Sequence, residues 1–279
     1  MVSRRQFLIG TASTVGAATL AGCYDSSSTS APEWMSWVPA SFPTPTSLNS
    51  IAPSTLVEYE ATDITSEDTI YGLAPADMDA FVTIQGAGAG QHTAIDGQFE
   101  RETARDGLSS QLPGSLEERE DYSGYTRLSA EQTDIAITDD RMIISQGAEM
   151  ATLESIIDAK TGGTDRFYAE NTYAKRLADE LGSGDVVDLS ISTTPDEVPT
   201  NVTANATDVP EVAGSGSSVT VAEETSEYVT AVLYTSAAAA EPETIRDSLN
   251  ATTVSNVEIT TDDGLVVATG DIPTDNLNV

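Results

Sequence analysis

Acidic residues outnumber basic ones almost four to one in this chain, 45 Asp plus Glu against 12 Lys plus Arg, for a formal net charge of −33. Any fold it adopts must hold together against that self-repulsion. In about 0.1 M salt, where the Debye length is ~10 Å, repulsion between acids reaches across a domain surface, whereas at molar salt the length falls to ~3 Å and the repulsion is largely screened. Disorder is the alternative for so acidic a chain. Yet 39% of the residues are hydrophobic, and they fall in periodic blocks rather than scattered. The reading is a folded domain with an acidic surface, at home in strong salt. No basic patch exists to neutralise phosphates, so nucleic acid is excluded as a partner.

The first 23 residues have a charged start (Ser3-Arg4-Arg5-Gln6-Phe7-Leu8), a short apolar middle (Ile9 to Val15) and a small-residue exit (Leu20-Ala21-Gly22-Cys23). That is the layout of an export signal rather than of a folded element. Gly10, Gly16 and several Thr and Ser keep the middle too short and polar for a membrane span, which needs about 20 apolar residues. The start resembles the twin-arginine signal, Ser/Thr-Arg-Arg-x-Phe-Leu-Lys, with Ile9 where the last Lys is usual. Leu20-Ala21-Gly22-Cys23 resembles a lipobox, in which the chain is cut before the cysteine and lipid is joined to its sulfur. Cys23 is the only cysteine, so no disulfide can form within a monomer and its evident use is attachment. Removing residues 1–22 takes away Arg4 and Arg5 but no acid, leaving ten basic residues against 45 acidic, a net of −35. Acid-rich, lysine-poor and carrying these two motifs, the chain resembles an exported haloarchaeal lipoprotein. The resemblance implies passage through the twin-arginine export machinery and anchoring through lipid on the outer face of the cell membrane. It implies an address and no activity.

Beyond the signal (1–22), residues 23–47 read as a Ser-, Thr- and Pro-rich tether, and 48–279 as the folded domain. Trp34 and Trp37 interrupt the tether; they either rest at the membrane interface or dock on the domain, and their position just ahead of it favours docking. Leu56 to Glu60 alternates as a short strand, and Met78 to Gln85 as a more buried one. A helix is expected from about Phe99 to Leu112, stopped by Pro113-Gly114. Tyr122 to Leu128 reads as a strand and Asp134 to Ser145 as a hairpin. Leu153, Ile156, Ile157 and Lys160 share one helical face, and Tyr173, Leu177 and Leu181 another, with Gly182 as its cap. Val186 to Ser192 is a strand, and Pro195 to Ser218 a loop.

The last third repeats the middle of the first. Glu102 to Leu108 answers Glu243 to Leu249 with five identities in seven, and the Asp139-Asp140 hairpin answers the one at Asp262-Asp263-Gly264. Val82-Thr83 is the matching strand for Val229-Thr230. From Leu108 to Asp139 is 31 residues and from Leu249 to Asp262 is 13, so the first copy carries 18 extra, among them Tyr122 and Tyr125. Two strand–helix–hairpin units, at about 79–145 and 228–270, imply an α+β fold with mainly antiparallel sheet and helices packed on one face.

Candidate chemistry is sparse. The glycine run at 86–90 lacks the third Gly or Ala of a dinucleotide fingerprint, since residue 91 is Gln91, and lacks the Gly-Lys-Ser/Thr of a phosphate loop. His92 is the sole histidine, and no nucleophile elbow accompanies it; Gly214-Ser215-Gly216-Ser217 falls in an expected loop. One histidine and one lipidated cysteine exclude the usual zinc and copper sites. The Asp pairs at 139–140 and 262–263 lack the spacing of a calcium loop and read as turns. No cofactor is expected. Asn201, Asn205 and Asn250 each open an Asn-x-Thr triplet, the acceptor for N-glycans on exported chains. The expectation is a lipid-anchored surface protein without enzymatic activity, acting on a protein or small-molecule partner. The alternatives are a solute-binding component of a transporter and, third, a carboxylate-based hydrolase.

Overall fold

Among the described residues, twelve strands hydrogen-bond into one antiparallel sheet, with six α-helices spread over its two faces. The computed structural model describes residues 31–62, 68–194 and 212–277. In chain order the strands are β1 (Thr46–Ile51), β2 (Met78–Gly86), β3 (Gly90–Gly97), β4 (Glu117–Tyr122), β5 (Tyr125–Ala130), β6 (Thr133–Ile137), β7 (Arg141–Gln146), β8 (Val186–Ile191), β9 (Val212–Thr220), β10 (Thr225–Tyr234), β11 (Ser255–Asp262) and β12 (Leu265–Pro273). The helices are α1 (Pro53–Glu58), α2 (Arg101–Gln111), α3 (Met150–Thr161), α4 (Phe167–Glu170), α5 (Thr172–Leu181) and α6 (Pro242–Asn250). Across the sheet the order is β11-β12-β10-β9-β8-β1-β2-β3-β7-β6-β5-β4. No helix among the described residues is long and apolar enough to cross a membrane.

That order is nearly a palindrome about the seam between β1 and β8, which pair antiparallel from Thr46↔Ile191 to Ile51↔Val186. On each side of the seam a strand leads into a hairpin, a helix and a second hairpin, whose last strand returns beside the strand preceding the helix. β2-β3-β7-β6 in one half thus corresponds to β9-β10-β12-β11 in the other. This corrects the strand match drawn from sequence: the partner of β10 is β3, not the β2 strand that holds Val82-Thr83. The extra residues of the first half form β4 and β5, a hairpin added to the outside of β6.

Side-chain alternation gives the sheet two working faces. On the first, Val82, Ile84, Ala94, Ile143, Val187, Leu189, Ala231 and Leu233 join one large core with Leu153, Ile156 and Ile157 of α3 and Leu177 and Leu181 of α5. On the second, Ile95, Ile135, Ile137, Met142 and Ile144 pack with Ala104 and Leu108 of α2. Leu56 of α1 packs there too, with Ile51, Val186 and Val219. α6 lies on β11 and β12, where Val266 and Ala268 are buried on this second face and Val254, just past the helix, stands over Gly270. Helices therefore cover both faces, not one. A sheet whose strands alternate apolar residues on both sides cannot be served from one side alone.

Three other expectations are corrected. Leu56 to Glu60 is not a strand, because Pro53 at the first helical position opens a short helix. The tether cannot extend to residue 47: from Ala31 the chain packs on the domain, with Trp34 and Trp37 in a 3-10 turn (Glu33–Trp37) and both indoles buried. The Gly-Ser stretch at 214–217 is not a loop but the middle of β9. Its glycines have a physical reason. A Cβ at Gly216 would stand 2.5 Å from Leu181 Cδ1 and one at Gly214 2.9 Å from Leu177 Cδ1, so their absence lets α5 settle directly on the sheet.

Candidate functional site

The N-terminal end of the described chain is tied to the sheet through Lys160. It falls on the buried side of α3 and only 3% of its side chain is exposed. Its Nζ donates to Asp96 Oδ2 at 2.8 Å, to Glu33 Oε1 at 2.5 Å and to Ser36 Oγ at 3.2 Å. An ammonium has three donors, and all three are spent. The same Nζ stands 4.3 Å from the Trp37 ring centroid, a cation–π contact in a dry setting. The hydrogen bond from Lys160 is the main reason that the Glu33 carboxyl is held below its ordinary value. Asp96 also faces Arg141 Nε at 3.3 Å, and Trp34 Nε1 donates to Gly182 O at 2.9 Å. A cleft of 470 Å³ opens beside this hub, rimmed by Glu33, Asp79, Asp96 and Asp185. Lys160 is not a free amine: it binds the 3-10 turn, α3 and β3 into one piece.

His92 is likewise structural. It lies wholly buried on β3, with Nδ1 and Ser145 Oγ at 2.8 Å, Nε2 and Ala89 O at 3.0 Å, and the Phe42 ring edge-on at 5.7 Å. Both ring nitrogens are thereby occupied. Burial lowers its pKa, which favours the neutral ring. The glycine run from Gly86 to Gly90, expected between a strand and a helix, is the turn of the β2–β3 hairpin. Gly90 is required there, since a Cβ would meet Gln146 O at 2.4 Å.

The second large concavity, 490 Å³, lies over the seam itself on the second face, between the areas covered by α1, α2 and α6. It draws residues from five neighbouring strands: Ser47 and Asn49 of β1, Thr83 and Gln85 of β2, Asp188 and Ser190 of β8, Ser215 and Ser217 of β9, and Tyr228 and Thr230 of β10. The register explains why these meet. Asn49 sits opposite Asp188, Ser47 opposite Gln85 and Ser190, and Ser190 opposite Ser215, so hydroxyl and amide groups form rows across the sheet. Asn49 Nδ2 donates to Asp188 Oδ1 at 3.0 Å, which fixes the one carboxylate of the trough. Thr230 Oγ1 donates to Gly216 O at 3.1 Å. Ser47, Gln85, Asp188 and Ser190 are exposed. Opposite them, through the sheet, Leu48, Leu189 and Ile191 belong to the large core, so the polar face is bought by a well-buried reverse side.

Of the residues singled out in the sequence, Arg4, Arg5 and Cys23, together with Asn201 and Asn205, lie outside the described residues. Asn250 closes α6 and is exposed, while the hydroxyl of Thr252 in its triplet donates to Leu249 O at 2.7 Å. Asp139 pairs with Arg101 at 3.3 Å, and the carbonyls of Asp262 and Asp263 accept from Arg176 at 3.0 and 3.3 Å. Both Asp pairs sit in hairpin turns. At Asp263-Gly264 both φ angles are positive, 41° and 81°, as a two-residue turn of this kind requires. Among the described residues no group of His, Cys, Asp and Glu is arranged to hold a metal.

No protein-family model matches the sequence, and comparison with curated proteins gives no match. Among solved structures the chain is similar to TP0453. Its crystal form III superposes with a TM-score of 0.52 at 12% identity, over 87% of this chain and 95% of that one. Crystal form IV gives 0.51 at 12% identity, over 87% and 94%. At that identity the likeness is one of fold.

Proposed function

We propose that this chain is a lipid-anchored, non-enzymatic module of the cell surface, and that it binds a neutral, polyhydroxylated ligand such as a glycan across the polar trough at the seam. The address rests on the twin-arginine motif with Arg4 and Arg5 and on the lipobox ending at Cys23. The binding reading rests on one observation, the rows of Ser, Thr, Asn and Gln that converge over β2-β1-β8-β9-β10. A hydroxyl both donates and accepts, so such rows match sugar hydroxyls without charge. Tyr228 adds an aromatic surface at the edge. Against a transporter's solute-binding component stands the continuity of the seam: β1 and β8 pair along their whole length, leaving no hinge about which two lobes would close.

The test is titration of the folded protein, in molar salt, with a panel of neutral oligosaccharides, followed by amide NMR shifts. Saturable shifts confined to 47–49, 83–85, 188–190, 215–217 and 228–230, abolished by Ser190→Lys with Ser215→Lys, are expected. Shifts elsewhere, or none with any member of the panel, would overturn the reading.

A further inference from the structure

The two halves of the sheet end differently, and the difference points to a second binding surface. In the first half β6 is not an edge. β5 runs antiparallel along it, from Thr126↔Ile137 to Ala130↔Thr133, and β4 closes the outside. The counterpart of β6 in the second half is β11, which pairs with β12 and ends the sheet.

Among the described residues nothing pairs with the outside of β11, and its register shift is confined to Ser255–Glu258, whereas β4 is armoured along its length. β4 reads Glu-Glu-Arg-Glu-Asp-Tyr, five consecutive exposed charges with a register shift after Arg119, the usual armour against strand addition. β11 reads Ser-Asn-Val-Glu-Ile-Thr-Thr-Asp, with Ile259, Thr260 and Thr261 unbroken by charge. Asp262↔Leu265 closes the two-residue turn and is therefore a hydrogen-bonded pair. By alternation Thr260 and Glu258 also bond to β12, while the N–H and C=O groups of Ile259 and Thr261 point outward.

We infer that β11 is a docking edge for an extended, basic segment of another protein, which adds as an antiparallel strand where β5 adds in the first half. The chain's own β5 shows the chemistry that fits. Leu128 points to the second face, opposite Ile135, and Arg127 to the first, where it pairs with Glu154 and stands 5.6 Å from the Tyr122 ring centroid. On β11, Ile259 takes the second face, and Glu258 and Asp262 are exposed on the first, on either side of Thr260. A strand alternating aliphatic side chains with Lys or Arg meets both. A second copy pairing through its own β11 would set Glu258 and Asp262 against the same two acids, in a chain where acidic residues outnumber basic ones 45 to 12, so the fitting partner is a different, cationic chain. Main-chain hydrogen bonds supply affinity in this mode, and alternate side chains supply selection.

The experiment uses the full chain and a synthetic peptide with blocked ends copying residues 124–130, whose one charge is that of Arg127, with a second peptide in which that position carries Glu. Amide NMR should show saturable shifts of 257–262 with the first peptide and at least tenfold weaker binding of the second. Thr261→Pro removes an outward N–H without touching the β12 ladder and should weaken the first peptide at least tenfold. Glu258→Lys with Asp262→Lys leaves the backbone intact and should reverse the preference between peptides. Equal binding by Thr261→Pro, no reversal by the double variant, or shifts away from β11 would overturn the proposal. So would sedimentation of the protein alone as a dimer that Thr261→Pro dissolves, since a second copy would then be the occupant.

Discussion

Replacing Lys160 by Met tests whether the hub, rather than apolar packing alone, holds the N-terminal turn to the sheet. Met keeps the length and the contact with Trp37 but removes the charge. Breaking a buried pair by removing one partner costs about 3 to 5 kcal/mol when the remaining charge is stranded. Here the stranding is partial: Asp96, 19% exposed, keeps Arg141 at 3.3 Å, and Glu33, 76% exposed, turns to water. The expected loss is therefore about 2 to 3 kcal/mol. Asp96→Asn should cost as much, because it leaves the buried ammonium with Glu33 as its one charged partner. Glu33→Gln should cost under about 1 kcal/mol, as a partner largely in water contributes little. Urea melts at fixed KCl followed by tryptophan fluorescence measure all three. Because Lys160 is out of solvent, raising KCl should not erase its penalty, whereas Arg105→Ala, which breaks the exposed pair with Glu118, should lose what effect it has. If Lys160→Met melts like wild type, or Glu33→Gln costs as much as Asp96→Asn, the hub does not act as described.

Leu108 and Leu249 are buried at equivalent places on α2 and α6, and either changed to Ala should lose about 2 to 5 kcal/mol in denaturant titration; a cost within error of zero at Leu249 would deny α6 its place on the sheet. His92 has a lowered pKa, so it contributes stability that is full above about 6.5 and falls as pH drops from there toward its folded value. Melts between pH 7.5 and 5.5 should slope downward in wild type and flatten in His92→Gln, and an unchanged slope would show that other groups carry it. With a net charge of −33, melting temperature should fall steeply as KCl is lowered from molar to about 0.1 M; indifference to salt would contradict the halophilic reading.

Helices α2, α3 and α5 were legible because their apolar residues recur at helical spacing, and the β6–β7 and β11–β12 hairpins because turn residues separate β-rich runs. Lys160 was visible on the apolar side of its helix beside Leu153, Ile156 and Ile157, in a chain with only two lysines. Its partners were not, since Glu33 and Asp96 are 127 and 64 residues away. β1 and β9 escaped notice for one shared reason. Ser47, Asn49, Ser215 and Ser217 are poor strand formers by propensity, and Gly214 and Gly216 poorer still, but tertiary packing under α5 and across the seam overrides propensity. β1 and β9 supply two of the five strands that build the trough and bridge β8 to β2 on one side and to β10 on the other, so the candidate site was hidden with them. The one local sign was the alternation Val187-Asp188-Leu189-Ser190-Ile191, a strand with one buried and one watered side. Among the extra residues of the first copy, Tyr125 joins the core on the first face, while Leu128 joins Leu73 in the cluster of Ala104 on the second. A single residue of register decides which face a side chain serves.

The account stands on the proposed address, because a trough and an edge strand that bind outside partners need to be outside. The mature protein should be purified from membranes of a haloarchaeal host expressing the full gene, and its N-terminal peptide weighed by mass spectrometry. The account predicts a chain beginning at Cys23 and carrying added lipid mass, digested by protease on intact cells and released from the membrane by Cys23→Ser. A chain that keeps Met1 or begins elsewhere, stays protected inside the cell, or is retained on the membrane unchanged without Cys23 would contradict it.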